Sequence, residues 1–227
     1  MKILILGGYG VFGGRLAQLI RDLDIQVIIA GRSLPKAQAF CDAITGQARF
    51  DPLQLDRADI ADALRTHQPD LVVDASGPFQ HYKSDPYSVI RACIAARVNY
   101  LDFADGADFV FGVQSLDPAA TAAGIYALSG VSSFPVLTAA VLREMEKRGT
   151  IDTIWGGIAP SPFAGIGLNV MRAVVGYAGG DVKLTRAGKP HVAKGLTEVR
   201  NATIATPGRM PLRHLRFSLV DVPDRQE

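Results

Sequence analysis

Short apolar runs alternate with helix-like stretches along the first 130 residues of the chain. The runs read "KILIL", "QVIIA", "ARF", "LVVDA", "VNYLD" and "IYALS", and between them apolar residues recur every three or four positions. Consecutive strands joined by helices run parallel, and right-handed crossovers cover both faces of the sheet. The pattern therefore predicts an α/β fold with a Rossmann-type, doubly wound parallel sheet. The main predicted helices run from about Val11 to Arg21, Pro35 to Ile44, Arg57 to His67 and Tyr87 to Ala96.

The pattern changes after residue 130. A helical stretch, "PVLTAAVLREMEKRG", leads to the strand-like "TIDTIWGGIA" and an apolar helix. Polar strands follow in "DVKLTRAG", "TEVRNATIA" and "LRFSLVDV", with Gly and Pro at the turns. We predict a dinucleotide-binding domain in residues 1–130 and part of a smaller, more antiparallel α+β domain in residues 131–227.

Charge and cysteine content narrow the class of partner. The 24 basic and 22 acidic residues are spread along the chain, so no footprint for nucleic acid appears. The apolar segments are too short or too interrupted for a signal peptide or a stable membrane insertion. Cys41 and Cys93 lack C-x-x-C spacing, and the four histidines are scattered, which argues against a disulfide framework and a metal site. We expect a cytoplasmic protein with a small-molecule partner.

The opening glycines fit the G-x-G-x-x-G fingerprint at Gly8, Gly10 and Gly13, between a strand and a helix. In this interpretation Gly8 permits a tight turn, Gly10 lets the backbone approach a pyrophosphate, and Gly13 packs the helix on the strand. The N–H groups at the start of the helix then face the phosphates. The alternative is a glycine-rich turn without a ligand. The predicted cofactor-binding residues of this loop are Gly8, Tyr9, Gly10, Val11, Phe12 and Gly13.

The end of the second strand favours NADP(H) over NAD(H). An NAD-preferring site places Asp or Glu here to accept from the ribose 2′-hydroxyl, whereas this chain has Arg32 and Ser33. A guanidinium fork and a hydroxyl suit a 2′-phosphate. The alternative for Arg32 is an exposed surface arginine. Asp51, just past the third predicted strand, is a candidate for the adenine edge or, before Pro52, a turn former.

Three stretches together resemble a known family. "LILGGYGVFGGRLA", "AGRSLPKAQAF" and "VVDASGPFQHYKSDPYSVIRACIAARVNYLDFADGADFV" are similar, in order and spacing, to the NADP-binding domain of the saccharopine dehydrogenase-like family. The resemblance implies a following domain for substrate binding and dimerisation, hence a homodimer. It also implies that the turn after the fourth strand lies along the nicotinamide half of NADP, and this turn comprises Ala75, Ser76, Gly77, Pro78 and Phe79.

Candidate proton donors lie at the predicted strand ends, where a substrate would meet the cofactor. Asp102 is the first candidate, and the alternative for it is capping a helix or bonding loop amides. Tyr82 and Lys83 follow the Gly-Pro-Phe turn, and Ser129 follows the sixth strand. Two functions stay open: an NADP(H)-dependent oxidoreductase acting on a small carbonyl or imine, amino-acid-like substrate, and a non-catalytic NADP(H)-binding redox sensor or interaction module.

Overall fold

The strand Lys2–Leu6 lies inside a parallel sheet, with Leu6 paired to Ala30 on one side and to Asp74 on the other. The computed structural model describes residues 1–77, 79, 82, 85–132, 136–151, 154, 168–186, 188–197, 199–204 and 213–218. These residues fall into two units, 1–141 and 142–227. This division lies after the predicted boundary near residue 130, and the assignment of the second unit to a substrate domain stays a prediction.

The first unit carries a six-stranded parallel sheet in the order β3-β2-β1-β4-β5-β6, with helices in the connections. The predicted α/β, Rossmann-type architecture is therefore confirmed. The strands are β1 (Lys2–Leu6), β2 (Gln26–Gly31), β3 (Arg49–Gln54), β4 (Leu71–Asp74), β5 (Asn99–Asp102) and β6 (Ala127–Leu128). The helices are α1 (Val11–Ile20), α2 (Leu34–Ala43), α3 (Ile60–His67), α4 (Ser88–Ala96), α5 (Ala107–Gly112) and α6 (Asp117–Ala123), with 3₁₀ turns at Arg57–Asp59 and Val113–Leu116.

The alternation of side chains along each strand divides the core into two layers, one on each face of the sheet. Leu4, Leu6 and Val72 belong to the layer that contains residues of α3 and α4, such as Leu64 and Ile90. The opposite layer is formed by Ile3, Ile5, Val27, Ile29 and Val73, together with Ala17 of α1 and Ala37 of α2. Burial of both faces explains why these strands are continuous apolar runs.

One strand is longer than predicted. We expected the third strand to end at Phe50, whereas β3 continues through Asp51 and Pro52 to Gln54. Proline lacks the N–H that a central strand needs, but β3 is an edge strand of the sheet, where that N–H is not required. Asp51 is therefore a strand residue and not a turn former.

The second unit contains two antiparallel hairpins among its described residues. One pairs β7 (Asp181–Arg186) with β8 (Lys189–Lys194), and the other pairs β9 (Val199–Ile204) with β10 (Arg213–Ser218). The strand β8 was not predicted, since its sequence, "KPHVAK", is polar and contains Pro190. The stretch "TIDTIWGGIA" lies almost wholly outside the described residues. Two described helices precede the hairpins: α7 (Thr138–Glu146), which begins before the division at residue 141, and α8 (Leu168–Gly176). Within the described ranges, no helix is both long and apolar enough to cross a membrane.

Candidate dinucleotide-binding site

The carboxyl edge of the sheet brings the predicted site segments together. β1 and β4 end side by side, and the backbone N–H groups of Gly7 and Gly8 both donate to Ala30 O at the end of β2, at 2.8 and 3.0 Å. The glycine turn, the β2–α2 connection that contains Arg32, and the turn after β4 thus share one edge. In open α/β sheets, ligands bind at this edge where the strand order reverses.

The structural roles of the glycines in this turn differ from the predicted ones. Gly7, not Gly8, makes the tight turn: its φ is +75°, and a Cβ there would lie 2.8 Å from Ala75 O. Gly8 is a packing position, because its Cβ would lie 2.9 Å from Ile5 O. Gly13 is tighter still, since a Cβ there would lie 2.4 Å from Gly7 O. Gly13 therefore allows α1 to approach the glycine turn, whereas the prediction had it packing the helix on the strand.

Gly10 differs from these three positions. A Cβ there would meet only Gly7 O, at 3.0 Å, among the described atoms within 4 Å. Gly10 is the N-cap of α1, no side chain caps the helix, and its first turn holds no acidic residue. The start of α1 therefore presents uncapped N–H groups, and only Gly7 O would crowd a Cβ on Gly10, which fits a pyrophosphate bound against this backbone.

Two apolar side chains are exposed at the same helix start. Val11 and Phe12 are 63% and 55% exposed, and the Phe12 ring lies 6.5 Å from that of Phe103, which follows β5. Apolar surface beside an uncapped helix end suits a ligand that is polar at its phosphates and flat at its rings. Both residues remain in the predicted cofactor-binding set.

The β2–α2 connection carries positive charge. Arg32 is exposed, and Ser33 is the N-cap of α2 with a hydroxyl that makes no capping hydrogen bond. The first turn of α2 holds no acidic residue and contains Lys36, a cation that the sequence interpretation missed although it lies in the same segment. The residues present therefore fit a 2′-phosphorylated ribose.

Asp51 lies away from this edge. It pairs with Ile28 in the middle of the β2–β3 ladder, three residues before the strand ends, or roughly 10 Å along β3. Its carboxylate accepts from Gln26 Nε2 at 2.7 Å and from Arg49 Nε at 3.2 Å. The predicted adenine contact of Asp51 is therefore corrected, because these bonds hold the carboxylate near the amino end of the sheet.

Aromatic side chains pack against one another at the turn after β4. Phe79 is buried, with its ring 5.0 Å from Phe109 and 5.5 Å from Tyr82, and a Cβ on Gly77 would lie 3.2 Å from the Phe79 ring. The Phe79 ring is thus a core group that holds the turn, whereas Ala75, Ser76 and Gly77 are partly exposed at the edge. Pro78 and Lys83 lie outside the described residues, so their predicted roles rest on the sequence.

A row of polar groups lies beside this turn. Ser76 Oγ donates to Asp74 Oδ1 at 2.5 Å and is 3.1 Å from Tyr82 Oη. The Arg57 guanidinium lies 3.7 Å from the Tyr82 ring centroid, and its Nη2 is 3.1 Å from Asp74 Oδ2. The sequence pointed to Tyr82 and Ser76, but it gave no signal for Arg57 or Asp74.

Burial has the largest effect on the pKa values of Asp74 and Tyr82. It raises the pKa of Asp74, against the opposing effects of the Arg57 charge and the Ser76 hydrogen bonds, while Asp102 adds to the rise. Burial also raises the pKa of Tyr82, with the Asp74 charge as the next cause. The Tyr82 hydroxyl is therefore protonated at neutral pH, the form that can donate a proton.

Asp102 is completely buried and tied to the sheet. Its Oδ1 accepts from the backbone N–H groups of Ala104 and Gly130 and from Ser129 Oγ, at 2.8–2.9 Å, and its Oδ2 accepts from Tyr100 Oη at 3.1 Å. A carboxylate with four donors and no exposed surface joins the ends of β5 and β6. The geometry therefore favours the alternative given for Asp102, loop-amide bonding, over a proton donor.

The two cysteine thiols have raised pKa values. Burial raises the pKa of Cys41 to about 11, with Asp42 and Asp51 contributing, and burial raises the pKa of Cys93 as well. Both thiols are free, and neither forms a thiolate at neutral pH. Within the described ranges, no group of three or more His, Cys, Asp or Glu side chains could hold a metal ion.

The parallel sheet, the glycine turn and the uncapped start of α1 define a Rossmann-type dinucleotide-binding domain. The family profile described as the saccharopine dehydrogenase NADP-binding domain matches residues 3–128, more than half of the 227-residue chain. The chain belongs to this family. It therefore carries a nicotinamide dinucleotide-binding domain of the dehydrogenase type.

A solved structure of similar fold covers most of the chain. Apo histidine-tagged saccharopine dehydrogenase (L-Glu forming) from Saccharomyces cerevisiae is 18% identical, with a TM-score of 0.57 over 90% of this chain and 47% of that chain. The chain thus spans about half the length of the yeast protein. No curated protein matches the chain in sequence.

Two other similar structures have lower TM-scores. WbmG of Bordetella bronchiseptica in complex with NAD is 17% identical, with a TM-score of 0.35 over 45% of this chain and 37% of that chain. A short-chain type dehydrogenase/reductase from Mycobacterium ulcerans is 14% identical, with a TM-score of 0.43 over 56% of this chain and 65% of that chain.

Proposed function

We propose that the chain is part of an NADP(H)-dependent oxidoreductase that acts on a small carbonyl or imine substrate of the amino-acid type. The observation that carries the cofactor choice is the β2–α2 connection, where Arg32 and Ser33 stand at the end of β2 and no acidic residue lies in the first turn of α2. A carboxylate at this place would repel a 2′-phosphate, whereas a guanidinium binds it with two parallel hydrogen bonds.

The roles of the chain's own residues follow from their places on the edge. The N–H groups at the start of α1 bind the pyrophosphate, Gly10 leaves room for it, and Arg32 with Ser33 binds the 2′-phosphate. The turn of Ala75, Ser76 and Gly77 lines the nicotinamide side. When bound, the cofactor supplies or accepts a hydride.

Tyr82 is our candidate for the group that moves a proton to or from the substrate. Its hydroxyl is protonated at neutral pH and is 3.1 Å from Ser76 Oγ, which itself donates to Asp74. When Asp74 carries a proton, it can pass that proton to Ser76 Oγ while Ser76 passes its own to Tyr82, so a proton lost from Tyr82 is replaced. Lys83 stays a second candidate, from the sequence alone.

The second unit also has a proposed role. We assign it to the beginning of a substrate and dimerisation domain, as the family resemblance implies, and we expect a homodimer in the cytoplasm. One observation favours the non-catalytic alternative, an NADP(H)-binding sensor or interaction module. Asp102, the first candidate for the proton donor, is completely buried and accepts four hydrogen bonds.

Substrate-dependent oxidation of NADPH distinguishes the two functions. The protein with the whole of its second domain is mixed with NADPH and either simple carbonyls or pairs of an amino acid and an aldehyde, and the loss of NADPH absorbance is followed. The proposal predicts turnover with at least one mixture and none for Gly10→Val, the matched variant without cofactor binding. NADPH binding without oxidation in any mixture would instead support the sensor.

A further inference from the structure

Tyr9 connects the glycine turn to the β2–α2 connection. It lies between Gly8 and Gly10, and its ring covers Gly31 so closely that a Cβ on Gly31 would lie 2.5 Å from Tyr9 Cε1 and 2.7 Å from Tyr9 Oη. Its hydroxyl oxygen accepts a hydrogen bond from the backbone N–H of Ser33 at 3.0 Å. One side chain therefore contacts both neighbours of Arg32.

The backbone of Arg32 is also held from the other side. Gln54 Nε2, at the end of β3, donates to Arg32 O at 3.3 Å. Ser33 is extended, with φ −116° and ψ 104°, and its own side chain makes no capping bond. The contacts of Tyr9 and Gln54 thus fix the backbone from which the exposed Arg32 side chain projects.

We propose that Tyr9 is a positioning residue for recognition of the 2′-phosphate, acting through the backbone of Ser33 and the side chain of Arg32. This inference rests on the proposed NADP(H) function. An arginine on a fixed backbone loses less conformational entropy when it binds a phosphate than one on an unrestrained loop. Tyr9 therefore raises the affinity for the 2′-phosphorylated cofactor without contacting that phosphate.

The glycine turn itself does not depend on the Tyr9 hydroxyl. Gly7 and Gly8 are held by Ala30 O, and the Gly10 N–H donates to Gly7 O at 2.9 Å. The part of the site that NADH and NADPH share therefore keeps its hydrogen bonds when the hydroxyl is removed. Loss of the hydroxyl should affect the two cofactors differently.

The experiment is calorimetric titration of the full chain and its Tyr9→Phe variant with NADPH, NADH, adenosine 2′,5′-bisphosphate and AMP. Tyr9→Phe keeps the ring against Gly31 and removes one acceptor. We expect affinity for the two 2′-phosphorylated ligands to fall about three- to tenfold, the size of one hydrogen bond, with NADH and AMP unchanged. Tyr126→Phe, an exposed tyrosine beside β6, is the matched control and should change nothing.

A double-mutant cycle tests whether Tyr9 acts through Arg32. In an Arg32→Ala background, Tyr9→Phe should leave NADPH affinity unchanged, because the group that it positions is gone. Equal losses for NADPH and NADH, no loss for NADPH, or a gain for NADPH from a freed Ser33 N–H would each overturn the inference. A wild-type chain without preference for NADPH would overturn the proposed cofactor as well, so the two failures are distinguishable.

Discussion

Arg57 Nη2 lies 3.1 Å from Asp74 Oδ2, in a pair whose side chains are 16% and 0% exposed. The two atoms lack the alignment of a hydrogen bond, and neither has another hydrogen-bond partner among the described residues. The guanidinium comes from the turn after β3, and the carboxylate ends β4. Arg57 also lies over the Tyr82 ring, so the pair supports the turn that we assign to the nicotinamide side.

Removing the cation should destabilise the first unit. We expect Arg57→Met to lower the free energy of unfolding by about 2–4 kcal/mol near pH 8, since it leaves a buried carboxylate without its partner. The loss should be smaller near pH 5, because Asp74 then takes up a proton instead. Arg65→Met, at an exposed pair with Asp62, is the control and should cost less than about 1 kcal/mol in urea unfolding. Equal effects of the two changes would show that burial adds nothing to the Arg57 pair.

The raised pKa of Asp74 predicts how stability depends on pH. An unfolded aspartate titrates near pH 4, so above that pH the folded chain holds a proton that the unfolded chain has lost. The free energy of unfolding that Asp74 contributes therefore falls as pH rises from that value through the raised pKa.

Asp74→Asn removes this contribution. Urea unfolding from pH 4 to pH 8 should show the wild type losing stability relative to the variant, by about 1.4 kcal/mol for each unit by which the pKa is raised. A difference between the two proteins that is constant with pH, or that grows in favour of the wild type, is incompatible with a raised pKa.

Gly10 and Gly13 should respond differently to substitution. Gly10→Val should fold with a modest loss of stability and lose NADPH binding, since its side chain would fill the space left for the pyrophosphate. Gly13→Val should unfold the domain, because a Cβ there would lie 2.4 Å from Gly7 O. Circular dichroism with calorimetric titration checks both variants. Normal NADPH binding by Gly10→Val would mean that the opening glycines serve packing alone.

Asp102 is predicted to be a structural residue. Asp102→Ala leaves the buried N–H groups of Ala104 and Gly130 without an acceptor, and each costs about 1–3 kcal/mol. We expect a total loss of at least about 3 kcal/mol in urea unfolding, with Asp102→Asn less affected because its amide oxygen still accepts. A stable Asp102→Ala variant that binds NADPH but has lost turnover would restore Asp102 as a proton donor.

The order of strands and helices in the first unit was predictable because both faces of the sheet are buried. Continuous apolar strands and periodic helices are the direct consequence of that burial. Deviations occur where burial is weaker. β3 is an edge strand that tolerates Pro52, and β8 is a polar strand defined by its pairing with β7 rather than by its own composition.

The candidate site was predictable only as far as its residues are local in sequence. Gly10, Arg32 and Ser33 are positioned by the strand ends beside them, which a fingerprint and its context predict. Arg57 meets Asp74, and Tyr9 meets Ser33, only through the folded sheet, so no short pattern indicates these pairs. Asp102 was predicted as the first proton donor because its position at a strand end does not reveal the four donors that surround it.

Calorimetric titration with NADPH and NADH tests most directly whether this edge of the sheet binds NADP(H) through Arg32. A charge-assisted contact to the 2′-phosphate contributes about 1.5–3 kcal/mol, so NADPH should bind at least about tenfold tighter than NADH. Arg32→Ala should abolish most of that preference, while the exposed control Arg65→Ala should keep it. Equal affinities of the wild type for the two cofactors, or a preference for NADPH that survives Arg32→Ala, would contradict the account.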